Sequence, residues 1–278
     1  MLINLIEIFI INYTYLFAVF GYSFLIFKVC KLERIGLINL YSIHILITFY
    51  LVICIFFIFI FVYPITKYIT YLFILLGILF LLIFSRKKIT YKFFFQISVI
   101  VVIASFISFY SLESDDFSYH LRAILYFKES VIEKNLINNI EDGPRVAFNS
   151  AWFLLNSFLS NKNFETSFFF VSSVLYSSLL LDFTKFLKNN YKKVDLSYLY
   201  IGFVLPYFAG VLGKYKNFGS DIPGQLIITI ITFIFLRIFS LKKEIDHKIF
   251  YLLFILTLFT TMIKITNILI IFFIVFIF

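Results

Sequence analysis

Two adjacent carboxylates, Asp115 and Asp116, with Glu113 just ahead of them and Tyr119 and His120 just behind, are the residues of this chain best suited to chemistry. They open a polar interruption of roughly 50 residues, Leu112 to Lys162, in a sequence otherwise built of long apolar runs. Ionisable groups are costly inside a bilayer, so a chain that keeps nearly all its carboxylates out of its apolar runs and concentrates them at the mouth of its longest loop marks that mouth as the place for acid–base chemistry. A structural reading stands beside this one: either aspartate can cap the helix that follows by accepting from its first free N–H groups. Capping needs a single carboxylate, whereas Glu113, Asp115 and Asp116 offer three.

The surrounding elements must hold that loop at a membrane. With 62% hydrophobic and 14% charged residues among 278 and a mean hydropathy of +1.02, the chain carries more apolar surface than one water-soluble globule can hide. A spanning helix needs about 20 apolar residues. Runs of that kind occur at Leu5–Phe27, Leu37–Val62, Tyr68–Phe84 and Phe93–Tyr110 before the loop, and at Phe164–Phe183, Leu196–Leu212, Pro223–Phe239 and from Ile249 onward after it. The expected fold is all-α: a polytopic transmembrane bundle of about eight spans, with a partial ninth at the end and a long extracytoplasmic loop containing amphipathic helices. Two segments are expected, 1–92 as an N-terminal three-helix membrane unit and 93–278 as a membrane core carrying the external loop 112–162. Cys30 and Cys54 lie at or within the first two runs, which argues against a disulfide framework or thiol metal site. The first run lacks a basic lead and is too long for a cleavable signal, so it reads as an anchor. The 42 phenylalanines are not read as a binding surface.

The net charge of +9 is topogenic rather than a sign of nucleic acid. Lys28, Lys31 and Arg34 follow the first run; Arg86, Lys87, Lys88 and Lys92 the third; Lys185, Lys188, Lys192 and Lys193 the fifth; Arg237, Lys242, Lys243 and Lys248 the seventh. These make fifteen of the 24 Lys and Arg, and the positive-inside rule assigns all four turns to the cytoplasm. The N-terminus, the long loop and the turn Gly213–Ile222 then face outward, together with most carboxylates. Asp182, near the inner end of its run, is expected to pair with Lys185, and His44 to be a satisfied core polar group.

Within the loop, Phe117, Leu121, Ile124, Leu125, Val131 and Ile132 fall at helical spacing and leave Arg122 on another face. Asn135–Pro144 is turn-rich and ends in the breaker Asp142-Gly143-Pro144. Val146–Leu159 is too short to span and carries Asn149, Ser150, Asn156 and Ser157, so it is expected to lie in the outer interface with Trp152 as a headgroup-level anchor. Arg145, at the junction, is placed either to hold a phosphate bidentately or to snorkel toward headgroups. Lys214, Lys216 and Lys264 are further basic residues on the outer side, Lys264 with a headgroup contact as its alternative role. Asp221 reads as a second acid or as the cap of a helix with proline near its start.

The stretch Asp115-Asp116-Phe117-Ser118-Tyr119-His120-Leu121-Arg122-Ala123 resembles the acidic motif that follows a core membrane helix in the GT-C superfamily of glycosyltransferases. The block Pro144-Arg145-Val146-Ala147-Phe148-Asn149-Ser150-Ala151-Trp152-Phe153 resembles that superfamily's juxtamembrane segment and is closer still to uncharacterised bacterial multi-pass proteins. The resemblance spans about Phe93 to the C-terminus. It implies a cell-envelope transferase that moves sugar from a polyprenyl-phosphate carrier to a glycan, lipid or protein acceptor. Asp115 would be the catalytic base, with Asp116 beside it, and Asp116 and Glu113 would organise a divalent cation, Mg or Mn. Tyr119, His120, Arg122, Arg145, Asn149, Trp152, Lys214, Lys216, Asp221 and Lys264 would contact substrate, the basic ones facing the departing lipid phosphate. Two departures are visible. Three spans precede the motif helix, and the chain stops at Phe278 inside an apolar run, which against the family pattern reads as an incomplete C-terminus. A polysaccharide polymerase, a transporter and a non-catalytic fragment remain alternatives.

Overall fold

The computed structural model describes residues 2–32, 40–85, 89–108, 121–129, 150–159, 170–192, 194–210, 221–241 and 247–270. They form ten α-helices and no strand: α1 Leu2–Val29, α2 Tyr41–Phe59, α3 Lys67–Phe84, α4 Tyr91–Ser108, α5 Leu121–Glu129, α6 Ser150–Phe158, α7 Phe170–Asn190, α8 Leu196–Gly210, α9 Asp221–Ser240 and α10 His247–Ile263. A 3₁₀ turn, Ile265–Ile268, follows. Helices are what such apolar runs must form, because a bilayer offers no water to unpaired backbone groups. By length and composition four helices can cross a membrane, α1, α2, α3 and α9, while Tyr91–Ile107, α8 and α10 are apolar but shorter. The chain is a multi-pass membrane protein. The fifth expected run extends further than its apolar stretch: its helix carries on past Phe183 to Asn190 and so takes in Lys185 and Lys188.

Successive long helices alternate in direction, and side-chain contacts define two ends. At one end Lys28 at the finish of α1 lies 4.9 Å from the ring of Phe84 at the finish of α3, and Lys248 at the start of α10 donates to the Lys31 carbonyl at 3.1 Å. Arg237 from α9 bonds Asp195 ahead of α8 at 2.7 Å. This is the basic end. At the opposite end the Ile65 amide donates to Phe127 of α5 at 3.1 Å, and Thr70 of α3 donates to the Phe158 carbonyl of α6 at 3.1 Å.

The seam between α1 and α3 depends on small residues. A Cβ at Gly21 would run into the Gly77 carbonyl, and one at Gly77 would lie 2.6 Å from the Ala18 Cα. Such close approach is how membrane helices gain packing contacts without a hydrophobic driving force. On α3 only Thr70, Phe73, Gly77 and Leu81 are buried, a single helical stripe, and the exposed Leu72, Leu75, Leu79 and Leu82 make an apolar outer face suited to lipid.

The central fastening is Asp182. Leu40, the residue before α2, supplies no side-chain cap. The buried Asp182 carboxylate of α7 supplies it instead, accepting from the Tyr41 amide at 3.0 Å, the Ser42 amide at 2.8 Å and the Ser42 hydroxyl at 2.7 Å. The expected pairing with Lys185 is therefore a lesser part of its role; the Lys185 ammonium lies 4.2 Å from the Tyr41 ring, over its face, and its charge also reaches Asp182. His44 bonds Ser23 among Phe20, Phe24 and Phe27, as a satisfied core residue.

The expected interfacial helix is instead internal. From Ala151 to Phe158 no residue of α6 is more than 4% exposed, and Trp152 is fully buried, so it packs the core rather than anchoring at headgroups. The polar residues explain the difference. Asn156 donates to the Trp152 carbonyl at 2.8 Å and Ser157 to the Leu154 carbonyl at 2.7 Å, so no face of α6 requires water and it fits among α2, α5, α7 and α10.

Asp182→Ala leaves two amides and a hydroxyl without acceptors and is expected to cost about 2 kcal/mol or more, read as a lower melting temperature in detergent, with Asp182→Asn recovering part of the loss. Asp195 accepts from the Tyr198 amide at 2.9 Å as well as from Ser197 and Arg237; partial burial pushes its carboxyl up, but Ser197, Tyr198 and Arg237 outweigh this and hold it below the ordinary carboxylate range. A carboxylate whose folded pKa is depressed stabilises fully above its unfolded value of about 4 and loses that contribution as pH falls through the folded value. Melting curves of the parent and Asp195→Asn should therefore differ at neutral pH and converge below about pH 4.

Candidate functional site

The residues singled out for chemistry fall into two sets. Glu113, Asp115, Asp116, Tyr119, His120, Arg145, Asn149, Lys214 and Lys216 lie outside the described residues. Arg122 lies on α5, whose backbone is described at that position. Trp152, Asp221 and Lys264 have described side chains, and the structure brings the last two together while leaving Trp152 in the core.

Lys264 and Asp221 form an ion pair between the end of α10 and the start of α9. Its geometry comes from a break in the helix. After Ile263 the chain turns extended at Lys264, with φ −146° and ψ 113°, and resumes as the 3₁₀ turn. The Lys264 amide still bonds the Thr260 carbonyl at 3.0 Å, and the Asn267 amide bonds the Lys264 carbonyl at 2.9 Å. The Asn267 side chain also donates to the Thr260 carbonyl at 3.4 Å, which ties the 3₁₀ turn back to the last turn of α10. Gly224 permits the approach, since a Cβ there would lie 2.9 Å from the Asn267 Nδ2. Pro223 is tolerated because it sits in the first turn of α9, where an N–H has no intrahelical partner. Asp221 thus holds a cation, and Lys264 has a protein partner.

The flanks of the acidic motif are fixed at this same end. α4 runs away from the basic end to Ser108, with Asn12 of α1 donating to Ser105 near its finish at 2.9 Å. α5 begins at Leu121 and buries Ala123, Ile124 and Phe127. Residues 109–120, which contain the motif, connect those two ends in the sequence.

A family model covers residues 1–278 of the chain. The chain belongs to DUF8201, a domain of unknown function. No curated protein and no solved structure matches this DUF8201 chain.

Sequence reasoning passed over a polar cluster at the basic end. Lys92, Lys185 and Arg237, topogenic charges by their place in the sequence, converge with Gln96 and Asp182 on one cavity. An acidic residue inside an otherwise apolar run is the signal that points to it.

The Asp221 carboxylate is 67% exposed and the Lys264 side chain 33%, so water screens the pair. A double-mutant cycle of Asp221→Asn and Lys264→Gln is expected to give a coupling below about 1 kcal/mol; a several-fold larger value would show the pair shielded from water.

Proposed function

We propose that this chain is a membrane glycosyltransferase that moves a sugar from a polyprenyl-phosphate carrier to an acceptor on the outer face of a bacterial cytoplasmic membrane. The observation that carries the reading is the acidic motif, Asp115-Asp116 followed by Tyr119 and His120, lying in sequence between the ends of α4 and α5. Both ends belong to the side opposite the basic turns, which the positive-inside rule makes extracytoplasmic. There Asp115 takes the proton of the acceptor hydroxyl as that oxygen bonds to the anomeric carbon. The bond from that carbon to the carrier's phosphate oxygen breaks, and the lipid phosphate leaves with its electron pair.

Arg145, Lys214 and Lys216 are the cations proposed to meet that phosphate, by bidentate or point-charge contacts. Lys264 contributes less in this scheme because Asp221 already matches its charge. In this reading a divalent cation would be held by Glu113 and Asp116, hard oxygen donors of the kind Mg and Mn accept. Bound there, it would neutralise charge on the leaving phosphate.

One observation supports a second reading, transport. The interruption of α10 at Lys264 puts a charge at a break in an apolar helix, a feature that transporters use.

Asp115→Asn is expected to lower sugar transfer from a polyprenyl-phosphate donor about 10²-fold or more in membranes containing equal amounts of protein. Transfer at the parental rate would remove Asp115 from the mechanism. Acceptor-independent sugar flux across reconstituted vesicles would favour transport.

A further inference from the structure

The basic end contains a cavity of about 530 Å³ whose lining includes Lys92 of α4, Lys185 of α7 and Arg237 of α9. Three long helices thus each deliver one cation to a single space. Two of the cations are braced by aromatic faces. The Arg237 guanidinium lies 4.9 Å from the Phe186 ring centroid and Lys185 lies 4.2 Å from that of Tyr41, so neither needs much reordering to meet a ligand.

Among the described residues the negative charge within reach is already committed. Asp182, which also lines the cavity, accepts from Tyr41 and Ser42 at the start of α2. Asp195 engages Arg237 through Nη1, which leaves the guanidinium's other nitrogens as donors. Lys92 forms no ion pair with any described residue, and it lies close enough to Lys185 for the two charges to repel. An anion between them turns that repulsion into attraction. Gln96 accepts from the Tyr41 hydroxyl through its carbonyl oxygen, so its contribution to a ligand is the NH₂ group. Such a set of donors fits a tetrahedral oxyanion with several acceptor oxygens.

We propose that the cavity at the basic end binds a phosphate group, held between Lys92, Lys185 and Arg237 with Gln96 as a neutral donor. Two sources share this chemistry: the headgroup of an anionic phospholipid, reached from the bilayer edge, and a soluble phosphate or phosphate ester. The site is at the opposite end of the bundle from Ser108 and Leu121, the described residues that flank the acidic motif in sequence, and does not depend on glycosyl transfer.

The full chain is placed in phosphatidylcholine nanodiscs, and its melting temperature is followed as phosphatidylglycerol is added to the bilayer or inorganic phosphate to the buffer. Stabilisation by phosphatidylglycerol alone identifies a lipid headgroup, and stabilisation by inorganic phosphate identifies a soluble source; either supports the proposal provided Lys92→Gln weakens the response about tenfold in ligand concentration. Lys185→Gln provides a second lining variant, and Lys188→Gln, an exposed lysine on the same helix outside the cavity lining, should respond like the parent. An equal loss in Lys188→Gln would reduce the effect to general surface charge and overturn the site. So would a parent that responds to neither ligand.

Discussion

The arrangement of helices depends on a carboxylate borrowed across the bundle. A helix starting at Tyr41 has free amides, and Leu40 offers them nothing. Asp182 supplies the acceptor from α7, a helix 140 or more residues away in sequence, and is itself buried only because three donors surround it. Around this joint the other contacts fall into line: Tyr41 reaches Gln96 on α4, Phe183 packs 5.3 Å from Phe233 on α9, and Ser23 of α1 meets His44 on α2. The α2–α7 pair is therefore the axis on which α1, α4 and α9 are mounted.

The two ends of the bundle are built differently. At the basic end, polar groups are concentrated between helices, with Asp182, Gln96, Lys185, Arg237 and Asp195 linked by hydrogen bonds, aromatic faces and charge. At the other end two helices of the long loop, α5 and α6, are packed against the bundle, and α10 is interrupted so that Lys264 can meet Asp221. The first end resembles a clamp and the second a cover, so polar ligands and loop segments find different kinds of surroundings at each.

Much of this was legible from residue order, and the exceptions have physical causes. Long apolar runs separated by alternating basic turns are local signals, and they anticipate an all-α bundle with the basic residues gathered at one end. Helix limits shift where tertiary bonds override hydropathy, as when α7 continues past Phe183 through Lys185 and Lys188 to Asn190. Pairings between distant residues leave no local trace: Asp221 and Lys264 were each recognised as notable, yet nothing in either neighbourhood shows that they meet. Trp152 misled because tryptophan near a membrane boundary commonly marks the interface, whereas the intrahelical bonds of Asn156 and Ser157 let α6 sink into the core. The acidic motif was found by type and spacing alone, since Glu113, Asp115 and Asp116 lie outside the described residues.

Trp152 is the single tryptophan of the chain, and the core encloses it completely. Indole emission from the intact protein therefore comes from one position, on a short helix that belongs to the long loop. Its wavelength and its access to aqueous quenchers report whether that helix is seated, so loop docking can be followed optically without attaching any dye.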